Sequence, residues 1–139
     1  MRGEAEWCHA AARAGEVGGM RSYRTLIAWK HAHESLLLCL RTTDAAYHPR
    51  AKNLFDQLRR ATISIEANIV EGYALNTPGL CRRHLRIAIG SAAEAECLAR
   101  AAGELGYLNA ITVTALERAL DGALGALHGL LRSPPVTAG

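Results

Sequence analysis

Apolar residues recur at three- and four-residue spacing along four segments of this chain, and polar residues with proline or glycine separate the segments. That spacing is the period of one face of an α-helix. In the first segment it is formed by Leu26, Ile27, Trp29, Leu36, Leu37 and Leu40. Because Ser22 is a favourable N-cap residue, the pattern predicts a first helix that begins after Ser22 and ends near Thr43.

Helix-start and helix-stop residues delimit the other segments. Pro49 and Pro78 each suit the first turn of a helix, and Thr77 provides an N-cap for the later of the two. Gly106 is the expected C-terminal stop of the third helix. The predicted second, third and fourth helices cover about residues 50–74, 78–104 and 110–131. Helices of this length with short connections predict an all-α, up-down-up-down four-helix bundle.

Composition agrees with this fold class and sets the domain bounds. Half of the 139 residues are hydrophobic and only 5% are aromatic, and no run alternates as a strand would. One domain is predicted, at residues 20–132. Residues 1–19 lack a sustained apolar stripe and are interpreted either as a disordered tail or as an extension ahead of a true start at Met20. Residues 133–139 are interpreted as a flexible tail.

Antiparallel packing predicts which residues of the third and fourth helices face each other. The connection between them predicts a seam of small pairs, namely Ala88–Ala126, Ala92–Gly122, Ala95–Ala119 and Ala99–Ala115. Such a seam would let the two helices approach closely. The same register places Glu96 opposite Arg118, which is a favourable pairing of charges.

The register between the second and third helices pairs Arg60 with Glu94 and Ser64 with Ser91. We expect Arg60 and Glu94 to form a buried salt bridge, in which case neither side chain is free for other partners. Asn68 lies on the apolar stripe of the second helix and has two interpretations. It either fixes the packing register, as single polar residues do in bundle cores, or lines a polar pocket.

The second helix is apolar on more than one side. Its core stripe consists of Leu54, Leu58, Ala61, Ile65, Asn68 and Gly72. Ile63, Val70 and Ala74 lie on another side and would meet water in a monomer. A helix that is apolar nearly all round is normally buried. We therefore expect a homo-oligomer with Ile63 and Val70 at or near the contact.

Three stretches resemble one known family. LIAWKHA (26–32), QLRRATISIEANIVEG (57–72) and LRIAIGSAAEAE (85–96) resemble the bacterial four-helix-bundle family named for proteins encoded in intervening sequences of 23S ribosomal RNA genes. This S23 family is related to the accessory variability determinants of diversity-generating retroelements. The resemblance implies a ring, a homopentamer in known cases, that associates with structured RNA or nucleic acid, and a reverse transcriptase partner in the retroelement branch.

Positive charge is concentrated in the first half of the predicted bundle. Residues 21–86 contain eleven Lys and Arg against five Asp and Glu, whereas residues 87–139 contain three against five. The candidates for nucleic-acid contact are Arg82, Arg83, Arg86, Arg59, Arg50 and Lys52. Aromatic residues are not interleaved with them, so contacts to phosphates are expected rather than base stacking. The alternative is a solvated basic face on a module that binds protein partners.

The spacing of histidine, acidic and serine residues gives little support for a catalytic or metal site. Within residues 20–139 there is no Glu-x-x-His of the kind that di-metal bundles use, and His31 and His33 point to different sides of a helix. Ser64, Ser91 and His84 could form a hydrolytic set, but the register places His84 near Glu71 and away from Ser64. We therefore expect a non-enzymatic protein without a cofactor or metal.

Cysteine spacing and hydropathy bear on the compartment. Cys8, Cys39, Cys81 and Cys97 include no Cys-x-x-Cys pair, so reduced thiols are expected rather than a zinc site. No apolar run approaches the roughly 18 residues of a membrane span. A cytoplasmic protein is the interpretation that fits both features.

Overall fold

The computed structural model describes residues 23–75 and 77–132, over which the chain forms four α-helices and no strand. The helices are α1 (Ile27–Ala45), α2 (Lys52–Leu75), α3 (Pro78–Glu104) and α4 (Ala110–Arg132). Each helix packs against its neighbour in chain order, and α4 packs against α1. The predicted all-α four-helix bundle is confirmed. The predictions for residues 1–19 and 133–139 lie outside the described residues.

Helix α1 begins later than predicted. Residues 23–25 form a 3-10 turn, and Leu26 is the N-cap residue with an extended backbone (φ −73°, ψ 131°). This extended residue separates the turn from α1, which is why Ser22 is not the N-cap and the helix starts at Ile27. Ser22 itself lies outside the described residues. Leu26 contributes no side-chain cap, and neither does Thr77 at the N-cap position of α3.

The connection between α3 and α4 follows the prediction for Gly106. Gly106 has φ 75°, a left-handed conformation that glycine adopts without steric cost. The Gly106 N–H donates to the carbonyl of Gly103 at 3.0 Å, and the Tyr107 N–H donates to that of Ala102 at 2.8 Å. This pair of bonds is a Schellman motif, which satisfies the last carbonyls of α3. Asn109 then caps α4, since its Oδ1 accepts from the Thr112 N–H at 2.8 Å.

The core is built mainly from large side chains of α2 and α4 and small side chains of α1 and α3. The largest fully buried apolar residues are Phe55, Leu58, Ile65, Ile69, Leu85, Leu116, Leu120 and Leu127. Helix α3 buries Ala88, Ala92, Ala95, Ala99 and Ala102. Most of the predicted α2 stripe is buried, although Leu54 and Asn68 are only half-buried. Ile63 lies off the stripe and is 48% exposed, as predicted, whereas Val70 is half-buried rather than exposed.

The register between α3 and α4 differs from the prediction by about three residues. Asp121, three residues beyond Arg118, is the neighbour that raises the pKa of Glu96, and Arg100 Nε lies 4.0 Å from Glu117 Oε1, three residues beyond the predicted position 114. Gly122 lies against α1, because a Cβ built on it would meet the His31 ring at 2.6 Å. The prediction counted residues from the helix ends alone. Every Cα–Cβ bond leans toward the N-terminus of its own helix, so side chains on antiparallel helices are displaced in opposite directions.

The predicted buried salt bridge between Arg60 and Glu94 is wrong. Both residues are exposed. Glu94 instead accepts a hydrogen bond from the Gln57 side-chain amide at 2.7 Å. Arg60 follows the outward face of α2 with Ile63, and its long side chain reaches solvent rather than the α2–α3 groove. In contrast, the predicted proximity of Ser64 and Ser91 is confirmed, with their hydroxyl oxygens 2.8 Å apart.

In the described part of the chain, no helix combines the length and the hydropathy needed to cross a membrane.

Candidate nucleic-acid interface

Three of the predicted cations meet at the first turns of α3. Arg82, Arg83 and Arg86 line one shallow depression together with Gly79 and Ile87. Arg83 and Arg86 are exposed and have no ion pair with any described acid, whereas Arg82 is half-buried and has an interaction of its own. The backbone N–H groups of the first helical turn add partial positive charge at this place. The depression therefore offers an anion two exposed guanidinium groups and a helix start.

The other three predicted cations lie at the opposite end of the bundle, because α2 runs antiparallel to α3. Arg59 is held in the structure: its Nη2 is 2.7 Å from Asp44 Oδ1, and its Nε donates to Thr43 Oγ1 at 2.8 Å. Lys52 pairs with Asp56 at 2.7 Å. Arg50 lies over the Tyr107 ring at 5.6 Å from its centroid. The six predicted cations do not form one surface.

Three further cations lie at the same end of the bundle as Arg83, and sequence reasoning missed them. Arg24 and Lys30 lie at the start of the first helical region and Arg132 at the end of α4, and all three are exposed. In an up-down bundle those positions share one end with the start of α3. We call Arg24, Lys30, Arg82, Arg83, Arg86 and Arg132 the basic end. The predicted topology was the signal that could have found them.

Asn68 fixes a polar network between α2 and α3. Its Nδ2 donates to the Ser64 carbonyl at 2.8 Å and to Ser64 Oγ at 3.1 Å, and Ser64 Oγ continues to Ser91. Its Oδ1 lies 2.8 Å from His84 Nδ1. Because Oδ1 can only accept, Nδ1 is the protonated ring nitrogen. All of these partners lie on α2 and α3, as the register-fixing interpretation of Asn68 expects.

This network corrects the expected separation of His84 from the two serines. His84 does approach Glu71, with Nδ1 3.6 Å from Oε2, but it also joins Ser64 and Ser91 through Asn68. Catalysis by such a set needs a serine hydroxyl hydrogen-bonded to the histidine. Here the Asn68 amide lies between them, and an amide that donates at one end and accepts at the other does not carry a proton across. The geometry is that of a packing network.

A second polar cluster joins α1 to α2, and sequence reasoning did not identify it. Glu66 Oε1 accepts from Trp29 Nε1 at 3.0 Å and lies 2.9 Å from His33 Nδ1. The Trp29 and His33 rings stack with centroids 4.8 Å apart. Trp29 and His33 are four residues apart on one helix face, and Glu66 is the acid within the apolar run of α2. Those two features were the available signal.

A third cluster lies between α3 and α4 and is acidic. Burial, a hydrogen bond that protonated Glu96 donates to Asp121, and the nearby charges of Asp121 and Glu117 raise the pKa of Glu96 to about 7. Arg100 Nε lies 4.0 Å from Glu117 Oε1. Across the described ranges, no group of three or more histidine, cysteine, aspartate or glutamate side chains is arranged to hold a metal ion.

Comparison with known proteins gives one family. No curated protein matches the chain. The family model described as 23S rRNA-intervening sequence protein matches residues 24–129, which span all four helices and the basic end as far as α4 residue 129. By this match and by its four-helix fold, the chain belongs to the 23S rRNA-intervening sequence protein family.

Proposed function

We propose that this protein is a non-catalytic cytoplasmic adaptor that assembles into a homo-oligomeric ring, a pentamer by resemblance, and binds structured RNA or a ribonucleoprotein through the basic end. The observation that carries the proposal is the pair of exposed arginines, Arg83 and Arg86, without an acidic partner in the described chain. Membership of a family named for ribosomal RNA intervening sequences supports RNA as the polyanion.

Charge and repetition together give the proposed affinity. One basic end engages about one or two phosphates, which is weak binding by itself. A ring repeats the basic end in every subunit, and contacts on one RNA molecule then act at high effective concentration. Binding through phosphates reads shape and spacing rather than base sequence. The expected ligand is therefore a folded RNA with closely spaced phosphates.

A salt titration of the intact oligomer with a labelled structured RNA tests this proposal. With about six to ten phosphate contacts per ring, affinity should fall roughly 10³- to 10⁵-fold between 50 and 200 mM salt. Arg83→Glu with Arg86→Glu should abolish binding while the circular dichroism spectrum and the oligomer size stay unchanged, because both side chains are exposed. Arg41→Glu with Arg118→Glu is the charge-matched control, because both arginines are exposed and lie away from the basic end.

Two results would contradict the proposal. Equal loss of binding in the control would show that net charge, and not the basic end, holds the RNA. Absence of any salt-sensitive binding would favour the other class, a module that binds proteins through its ring face. Co-purification with a reverse transcriptase encoded beside the gene tests the partner that the retroelement resemblance implies.

A further inference from the structure

Aromatic rings in mutual contact lie at the start of α1, among the cations of the basic end. The Tyr23 ring meets the Trp29 ring edge-on, with centroids 5.3 Å apart. On its other side Trp29 stacks with His33 at 4.8 Å and an interplanar angle of 18°. The 3-10 turn at residues 23–25 and the extended Leu26 turn the chain so that Tyr23 reaches Trp29. The fold therefore places aromatic rings beside cations, which the spacing of the predicted cations along the chain did not indicate.

Glu66 of α2 holds two of these rings in place. Its Oε1 accepts from Trp29 Nε1 at 3.0 Å and lies 2.9 Å from His33 Nδ1. Its second oxygen, Oε2, is buried and has no hydrogen-bond partner in the described chain. A half-satisfied buried carboxylate costs free energy, and an apolar residue would pack α1 against α2 without that cost. What the carboxylate adds is a fixed orientation of the Trp29 and His33 rings.

Arg24 covers the outermost of these rings. Its guanidinium carbon lies 5.7 Å from the centroid of the half-buried Tyr23 ring, and its Nε donates to the Tyr23 hydroxyl at 3.3 Å. Arg24 is exposed, and no acid of the described chain lies within 4.0 Å of its guanidinium group. The long arginine side chain can therefore move off the ring while Trp29 still supports Tyr23. A planar group that enters between them would have an aromatic ring on one side and a guanidinium plane on the other.

We propose that an unpaired RNA base stacks between the Tyr23 ring and the Arg24 guanidinium, while the other cations of the basic end hold the neighbouring phosphates. Aromatic rings and guanidinium planes are the surfaces on which proteins stack unpaired bases, because every base has a π-face. A continuous A-form duplex offers no such base, since its bases are stacked inside the helix. The arrangement favours a base over a phosphate at this place, because a phosphate gains nothing from the Tyr23 ring.

The inference rests on the proposed function and narrows its ligand. The expected RNA is folded and presents an unpaired nucleotide in a loop, a bulge or an end. It also divides the basic end into two parts. Tyr23 and Arg24 bind the base without reading its identity, because stacking tolerates every base. Arg83 and Arg86 bind phosphates.

Two RNA hairpins that differ only in the bases of the loop test the inference. The loop nucleotides of the second hairpin are abasic, so both molecules carry the same number of phosphates. By fluorescence anisotropy, the wild-type protein should bind the hairpin with loop bases about 5- to 150-fold more tightly than the abasic one. Tyr23→Ala should remove this difference, and Tyr23→Phe should keep most of it. Tyr47→Ala is the matched control, because Tyr47 is 52% exposed in the connection between α1 and α2, at the opposite end of the bundle.

Tryptophan fluorescence gives a second measurement in the full-length chain. The chain has two tryptophans, Trp7 and Trp29, so Trp7→Phe leaves Trp29 as the only one. Because Trp29 contacts the Tyr23 ring, its emission should change when the hairpin with loop bases is added. The abasic hairpin should change it much less at equal saturation.

The remaining outcomes separate this inference from the proposed function. Equal affinity of the wild-type protein for the two hairpins, with salt sensitivity retained, would overturn base stacking and leave phosphate binding standing. An equal loss of affinity for both hairpins in Tyr23→Ala would show that the ring only supports the basic end, and would also overturn it. Absence of salt-sensitive binding to either hairpin would defeat the proposed function itself.

Discussion

Helix α3 packs against two neighbours by different means. Toward α2 its half-buried side chains form hydrogen bonds, with His84, Asn68, Ser64 and Ser91 in one continuous network. Toward α4 its polar residues are charged and exposed or half-buried, and two of them, Glu96 and Asp121, carry the same sign. On the α2 side the predicted Ser64–Ser91 pair is present and the predicted Arg60–Glu94 pair is not, and on the α4 side the predicted register is about three residues off.

The difference shows which residues fix how two helices slide past each other. A hydrogen bond requires a donor and an acceptor within about 3 Å, so a shift of one turn would leave the Asn68 amide unsatisfied. Alanines are nearly alike at every turn, so a seam of alanines accepts several registers. Polar residues of the α2–α3 groove therefore specify the packing, and the alanines of α3 permit it.

The largest expected loss of stability comes from placing a bulky side chain inside the α2–α3 contact. Gly72 is buried, and a Cβ there would lie 3.1 Å from the His84 Cβ and 3.3 Å from the Cys81 carbonyl oxygen. Backbone atoms cannot move aside, so Gly72→Leu should lower the free energy of unfolding by about 3 kcal/mol. Gly125→Leu is the matched control, because nothing lies within 4 Å of a Cβ on Gly125.

Chemical denaturation at fixed protein concentration measures both variants. An equal effect at Gly72 and Gly125 would mean that leucine acts through helix propensity rather than through the α2–α3 contact.

Removing the centre of the network should cost less. Asn68→Leu strands the His84 Nδ1–H and removes a donor from Ser64, so we expect a loss of about 2 kcal/mol in unfolding free energy. Asn53→Leu, an exposed asparagine on the same helix, is the control and should change stability by less than about 0.5 kcal/mol. An Asn68→Leu protein as stable as the wild type would show that the network does not hold the helices together.

The fold was predictable from periodicity and helix-end residues, because Pro49, Pro78 and Gly106 act locally and need no knowledge of the partner helix. The Ser64–Ser91 pairing was predictable for the same reason, since a short turn fixes it. The Glu66 cluster and the acidic pair at Glu96 were not, because they depend on which face of a helix meets which neighbour. Arg60 was misassigned because charge pairing at one level does not decide whether a long side chain turns inward.

The acidic pair on the α4 side predicts a pH dependence. The pKa of Glu96 is raised to about 7 in the folded protein, so the folded state holds a proton that the unfolded chain releases near the ordinary value of 4.5. Stability should therefore fall as pH rises from 4.5 through 7 and stay low above it. Because the site is partly exposed, we expect a change of about 1 kcal/mol.

Glu96→Gln should remove this pH dependence and raise the unfolding free energy at pH 8. Glu104→Gln, an exposed glutamate at the end of α3, should leave the dependence in place. Denaturant melts at pH 5 and pH 8 compare the three proteins. A wild-type protein that is more stable at pH 8 than at pH 5, with Glu96→Gln unchanged, would contradict the raised pKa.

The smallest effect is a pairwise coupling measured on both sides of α3. Ser64 Oγ and Ser91 Oγ are 2.8 Å apart and half-buried, so a double-mutant cycle with Ser64→Ala and Ser91→Ala should give a coupling of about 0.5–1 kcal/mol. The same cycle on Arg100 and Glu117, 4.0 Å apart with the arginine side chain 72% exposed, should give less than about 0.3 kcal/mol. Adding 0.5 M salt should reduce only the second value, because screening acts on charges and not on a hydroxyl pair. Equal couplings in the two cycles would contradict the view that the α2–α3 groove specifies the packing register and the α3–α4 groove only permits it.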